Sequence, residues 1–190
     1  MGIKIIAGKY KGLHIDSPDS ARPTLSRFRQ SVFDILDSSQ IDCEFGEFFC
    51  GKVVLDCFAG SGALGLEAIS RGAAHAYFVD ENRKAIGVLR SNIDKLNASE
   101  CSTVILSDIN KLTFSKKNKC CDVAFLDPPY FENISMKHTI KHLLEVGWIF
   151  EKTILVMEQS VHSKESLDFI KKIKSKIAGN SVFTLGVFNQ

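Results

Sequence analysis

Beyond residue 50 the chain alternates short, unbroken apolar runs with segments whose apolar residues recur every three or four positions. "KVVLDCF" (52–58), "HAYFVD" (75–80), "STVIL" (102–106), "CDVAFL" (121–126) and "TILVME" (153–158) read as strands. Between them, "GALGLEAISRG", closed by Gly72, and the segment carrying Ile86, Leu89, Ile93 and Leu96 read as helices. Strands apolar at consecutive positions are buried on both faces, so the pattern predicts a mostly parallel α/β sheet with helices on both sides. "SVFTLGVF" (181–188) lacks a crossover helix and reads as an added antiparallel strand. Ahead of this core, "IKIIAGKYKGLHI" predicts a hairpin turned at Gly8 to Gly12. "RPTLSRFRQSVFDIL" predicts a helix entered at Pro23-Thr24, with Phe28, Val32, Ile35 and Leu36 as its apolar stripe. Ile170, Ile173 and Ile177, set among the lysines from Lys164 to Lys176, have the spacing of an amphipathic helix with a basic solvated side.

With 190 residues, 45% apolar and 24% charged, the chain is expected to form one domain. Residues 1–40 are a hairpin and helix extension, and 50–190 the core. No apolar run approaches the roughly 18–20 residues that span a bilayer, and the start lacks the pattern of a cleaved leader, so a soluble, unexported protein is expected. Six cysteines without a C-x-x-C pair read as reduced thiols. His138 and His142 lack a third ligand, so no metal is expected. Charge is uneven: residues 1–30 hold six basic and two acidic side chains, a net +4, which leaves −2 for the rest of a chain of net +2. Such loading suggests a front segment that faces a polyanion.

Ligands of open α/β sheets bind beyond the carboxyl ends of the strands. Asp56, Asp80, Asp108, Asp127 and Glu158 all fall at or just after strand ends, a row of acids along one rim. In "LDCFAGSGALGLEA", Gly60, Gly62 and Gly65 form G-x-G-x-x-G between a strand and a helix. Two ligands compete for such a turn. A dinucleotide would set its pyrophosphate on the helix start. S-adenosylmethionine has no pyrophosphate and carries an ammonium and a sulfonium. Asp56, an anion four residues before the turn, favours the cationic ligand. Asp80 suits ribose hydroxyls, and Asp108 an adenine amine.

"FLDPPYF" (125–131) places Asp127 at the strand expected beside the first one, facing the reactive end of that ligand. Pro128 and Pro129 restrict the backbone and hold its carbonyls at fixed angles. Tyr130 offers a ring on which a base can stack for roughly 1–3 kcal/mol. Acceptors on both N–H bonds of an aromatic amine, one from Asp127 and one from a proline carbonyl, would pull the nitrogen toward pyramidal geometry and aim its lone pair. Orientation can then supply roughly 7–11 kcal/mol without a strong base.

"DPPY" after a strand, with "LDCFAGSGALGLEAISRGA" and "FVDENRKAI" upstream, resembles the class I S-adenosylmethionine-dependent methyltransferases of planar amino groups. The N-terminal "IIAGKYKG" and "RPTLSRFRQSVFDIL" narrow the resemblance to the RsmD family, which modifies N2 of a guanine in 16S ribosomal RNA. That resemblance implies a Rossmann-like, mostly parallel seven-stranded sheet with an N-terminal hairpin and helix. It implies S-adenosyl-L-methionine as cofactor, held by Asp56, Phe58, Gly60, Gly62, Asp80 and Asp108. Asp127, Pro128 and Tyr130 would act on the target base, and Lys9, Tyr10, Lys11, Arg22, Arg27 and Arg29 would grip RNA. A monomeric cytoplasmic enzyme acting on 16S rRNA or the assembling small subunit follows, with neither membrane nor metal. A DNA adenine-N6 or protein glutamine-N5 methyltransferase shares the D/N-P-P-Y/F corner. A nicotinamide-dependent dehydrogenase or nucleotide-binding module shares the glycine pattern.

Overall fold

A computed structural model describes residues 2–17, 25–38, 48–113, 118–129 and 134–189. The main sheet has seven strands: β3 (Val53–Asp56), β4 (His75–Asp80), β5 (Ser102–Leu106), β6 (Cys121–Leu126), β7 (Ile149–Ser160), β8 (Ile170–Ala178) and β9 (Ser181–Phe188). Their order is β5-β4-β3-β6-β7-β9-β8, and β9 runs opposite to the other strands of this sheet. The seven-stranded, mostly parallel sheet expected of the chain is therefore present. A two-stranded hairpin, β1 (Ile3–Lys4) and β2 (His14–Ile15), precedes it.

One face of the sheet is covered by α1 (Leu25–Ser38), α2 (Ala63–Ser70) and α3 (Arg83–Lys95), around Val54, Phe78, Phe125 and Val156. On the other face, α4 (Met136–Glu145), Trp148 and the loop residues Leu167 and Phe169 pack on Leu55, Val79, Leu126 and Met157. Trp148 meets Tyr77 edge-on at 5.0 Å and donates its indole N–H to the carbonyl of Thr113. Strand β3 is buried at all four positions, as its run of apolar residues requires at the centre of a covered sheet. None of the described helices is long and apolar enough to cross a membrane.

Helix α1 is a layer of this core. Its Phe33 lies 5.3 Å from Phe49 and 5.8 Å from Phe125, and Val32 and Leu36 are buried with them. All eight residues of α2 are buried because the hairpin covers its outer side. There Glu67 accepts from the N–H groups of Ile6 and Ala7, and Ser70 Oγ from that of Tyr10.

The helix expected around Ile170, Ile173 and Ile177 is instead strand β8, at the edge of the sheet. A register shift between Lys172 and Lys174 inserts one residue, Ile173, and so turns the two-residue strand period into a three-residue gap. The lysines now have a structural reading as well, since charged side chains on an edge strand discourage further pairing.

Candidate active site

The chain reverses direction across the sheet between β3 and β6, whose parallel register pairs Asp56 with Phe125. The carboxyl ends of these two strands border the crevice where such folds bind ligands. Asp127, Pro128 and Pro129 leave β6 there, each half-buried, and the glycine turn leaves β3 beside them.

The turn is built by hydrogen bonds that use its own donors. Gly60 N–H donates to Asp80 Oδ2 at 2.8 Å, Gly62 N–H to the Ala59 carbonyl at 2.7 Å, and Gly65 N–H to Asp56 Oδ2 at 3.0 Å. The three glycines serve different ends. Gly60 has φ +53° and a Cβ there would meet nothing within 4 Å, so open space lies over its backbone. At Gly62 (φ +81°) a Cβ would come within 2.3 Å of Leu89, and at Gly65 within 2.3 Å of Phe78. Those two permit close helix packing, and Gly60 permits approach from outside. Phe58 is half-buried beside them.

Asp56 departs from expectation. It is 2% exposed and commits Oδ2 to Gly65, so its carboxylate braces the turn and does not face the crevice. Burial, countered by the Gly65 N–H and reinforced by Asp80, raises its pKa from 3.8 to about 7. A carboxyl so poised is a weak basis for choosing a cationic ligand. Asp80, whose second oxygen accepts from Asn82 N–H, is placed to accept from the ribose hydroxyls of either ligand. A pyrophosphate needs free backbone donors at the turn, and those of Gly60 and Gly65 are already bonded to carboxyl groups. The cradle fits a ligand that presents ribose hydroxyls to Asp80.

The raised pKa of Asp56 makes stability depend on pH. An acid whose pKa is raised by folding favours the native state below its unfolded value and loses that contribution as pH rises through the folded value. The window here runs from about 4 to about 7, and each tenfold change in proton affinity between the folded and unfolded chain corresponds to ~1.4 kcal/mol. Asp56→Asn keeps an acceptor for Gly65 and removes the ionisation. Urea unfolding at pH 5 and pH 8 should show the variant losing less stability than the parent across that interval, by a few kcal/mol at most. Equal losses in the two proteins would mean that Asp56 stays ionised throughout.

Asp108 follows β5 and caps a short turn, accepting from Asn110 N–H at 2.9 Å and pairing with Lys111 at 3.2 Å. The Asn110 amide first, and then Lys111, hold its carboxyl below the usual range. Asp80, Asp108 and Asp127 thus lie on one rim.

The expected RNA-gripping residues divide. Arg29 is 1% exposed; its Nη2 donates to the Lys4 carbonyl at 2.5 Å, and its Nε and Nη1 reach no partner among the described residues. Burial lowers its pKa, while neighbouring Glu67 opposes that shift. Arg29 is therefore part of the packing under α1 and is not available to a phosphate. Tyr10, 7% exposed, likewise belongs to the core, with the Lys9 ammonium 5.1 Å above its ring. Lys9 and Lys11 are exposed at the hairpin tip, against the C-terminal end of α2, where Lys9 N–H donates to the Ser70 carbonyl. A helix crossing back from a parallel strand ends at the amino rim, so this tip lies on the rim opposite Asp127. Arg27 falls within α1, and Arg22 and Tyr130 lie outside the described residues.

Residues 3–187 match the family described as "Conserved hypothetical protein 95". Ribosomal RNA small subunit methyltransferase D of Escherichia coli K12 is 34% identical over 164 residues, covering 85% of this chain and 76% of that protein. The chain belongs to the RsmD family. A relative of the same name from Buchnera aphidicola (Baizongia pistaciae) is 35% identical over 159 residues, 83% of this chain and 76% of that protein. The solved structure of Escherichia coli yhhF superposes with a TM-score of 0.81 at 29% identity, covering 100% of this chain and 99% of that one. The RsmD-family fold here is that of the Rossmann-like class I methyltransferases.

Two supports of this site were not singled out in the sequence. Asn92, 0% exposed, donates to the carbonyls of Ser61 and Asp16 and accepts from Asp16 N–H, tying the glycine turn to the segment after the hairpin. Glu67, also 0% exposed, anchors the hairpin. The signal for both was a polar residue placed among the apolar positions of an otherwise regular helix.

Proposed function

We propose that this chain transfers the methyl group of S-adenosyl-L-methionine to the exocyclic N2 amine of a guanine in 16S rRNA, as a step in small-subunit maturation in the cytoplasm. The observation that carries the reading is the juxtaposition across β3 and β6. A glycine turn whose Gly60 and Gly65 N–H groups are bonded to Asp80 and Asp56 stands beside the Asp127-Pro128-Pro129 corner. The rRNA substrate is supported by the names of the relatives, and guanine N2 by the resemblance in the motifs.

When bound, S-adenosylmethionine supplies an electrophilic methyl on a positively charged sulfur. The open backbone of Gly60 would admit its body, Asp80 would accept from its ribose hydroxyls, and Asp108 from its adenine amine. Asp127 and the Pro128 carbonyl would accept the two N–H bonds of the target amine, concentrating its lone pair on nitrogen. Tyr130 would stack against the base. Asp127 would receive the amine's surplus proton and pass it to water, with the electron pair of the methyl bond given up to nitrogen going back to the cofactor's sulfur.

Two measurements check this. Calorimetry should show S-adenosylhomocysteine binding and no NADH binding; the reverse removes methyl transfer. Tritiated methyl transfer, run in parallel on rRNA, small subunits, DNA and release factors, should label rRNA at N2-methylguanosine. Label confined to DNA or protein would move the enzyme to one of its sister amine substrates.

A further inference from the structure

The chain that leaves β6 through the amine corner next enters α4, at its Met136 end. That end is held from outside. The loop between β7 and β8 turns back and lays the half-buried carboxylate of Glu165 across the start of α4. Oε1 accepts from Ser135 Oγ at 2.8 Å and from Lys137 N–H at 3.0 Å, and Oε2 from Met136 N–H at 3.0 Å. Two of these donors are first-turn amides with no partner inside the helix, and a negative charge at a helix start is favoured by the aligned peptide dipoles. Ser135 completes the arrangement by capping the helix itself, its Oγ accepting from His138 N–H.

The same loop is tied on its other side to the strand next to the corner. Gln159 of β7 donates to the Glu165 carbonyl and to Ser163 Oγ, each at 3.5 Å. Leu126 pairs with Met157, so continuing that parallel register brings Pro128 opposite Gln159. Residues 159–165 therefore bracket the corner, touching the strand beside its start and the helix at its end.

We infer that Glu165 is a positioning residue for amine methylation: it ties the start of α4 to the loop that runs beside Pro128, so that Asp127 and Pro128 keep their place beside the glycine turn. Five residues separate Pro129 from Ser135, which bounds how far the corner and the start of α4 can part. A misplacement of about 1 Å can cost roughly 10²-fold in rate. The inference deepens the proposed function and rests on it for the reaction assayed.

The test uses full-length Glu165→Ala and Glu165→Gln. Hydrogen exchange at Met136 and Lys137 should accelerate in both variants, more in Ala, because Gln keeps one acceptor but turns an NH2 toward a donor. In the same proteins kcat should fall about 10- to 100-fold for Ala, with Gln between Ala and the parent, while the Kd for S-adenosylhomocysteine stays within about twofold. Unchanged exchange would show that the clamp does not form in solution. Faster exchange with parental kcat per folded molecule would show that it only caps a helix, and a matching loss of cofactor affinity would move its effect to the other half of the site. Turnover is read on whichever amine substrate the parent methylates, so failure on RNA would sink the RNA reading and leave the clamp to be judged by these same outcomes.

Discussion

Asp127→Ala is expected to lower the rate of methyl transfer by about 10²- to 10⁴-fold, the range for loss of a positioned group that receives or orients a proton. Affinity for S-adenosylhomocysteine should stay near the parental value. The separation follows from where the side chain sits. The glycine turn hangs from β3 and is closed by hydrogen bonds to Asp80, Asp56 and Ala59. Asp127 leaves the neighbouring strand, half-buried, followed by two prolines that restrict where its carboxyl can point. On the proposed function, removing it would take an acceptor from the amine and leave the hydrogen bonds of the turn in place. Asp127→Asn keeps a carbonyl acceptor without the charge and should recover part of the rate, which a purely electrostatic role would not allow. Single-turnover rates at saturating cofactor, with calorimetry for affinity, make the comparison. A variant that binds S-adenosylhomocysteine poorly yet turns over normally at saturation would place Asp127 on the cofactor instead.

Much of this frame was legible because burial and periodicity agree. The buried runs at β3, β4 and β6 are apolar at nearly every position, and each is followed by an acid on one rim. Strand β8 was not legible for the opposite reason. Its bulge places Ile170, Ile173 and Ile177 three and four residues apart, which is helical spacing, although Ile173 and Ile177 are 45% and 69% exposed and form no stripe. Local pattern also could not reveal partners distant in sequence. Arg29 and Tyr10 look like surface residues of a basic arm when charges are counted along the chain; they are buried because Lys4, Glu67 and Phe33 come together around that arm. Asp56 was expected at the ligand because of its position, while its actual partner, Gly65, becomes visible only once α2 folds back over β3.

The same contrast sets the second large effect, at Glu67. Its carboxylate is completely buried and accepts from Ile6 N–H at 2.8 Å, Ala7 N–H at 3.0 Å and Arg71 Nε at 2.9 Å, with Arg29 close enough for its charge to be felt. Glu67→Ala strands two backbone donors and leaves two cations without their common counter-charge. Breaking a buried pair by removing one partner costs about 3–5 kcal/mol, which for a domain of this size lowers Tm by about 6–20 °C. The hairpin should loosen first, because Ile6 and Ala7 lose their anchor, so proteolysis near residues 3–15 should begin below the global transition. Adding Arg29→Met to Glu67→Ala should restore part of the loss. The second change removes a buried cation that the first left uncompensated, and replaces it with an apolar side chain suited to an irregular core. Urea denaturation of the parent, both single variants and the double variant closes the cycle. Additive losses, or a Glu67→Ala protein within about 1 kcal/mol of the parent, would mean that the hairpin is held by its apolar contacts with α2 and that the buried carboxylate is incidental to it.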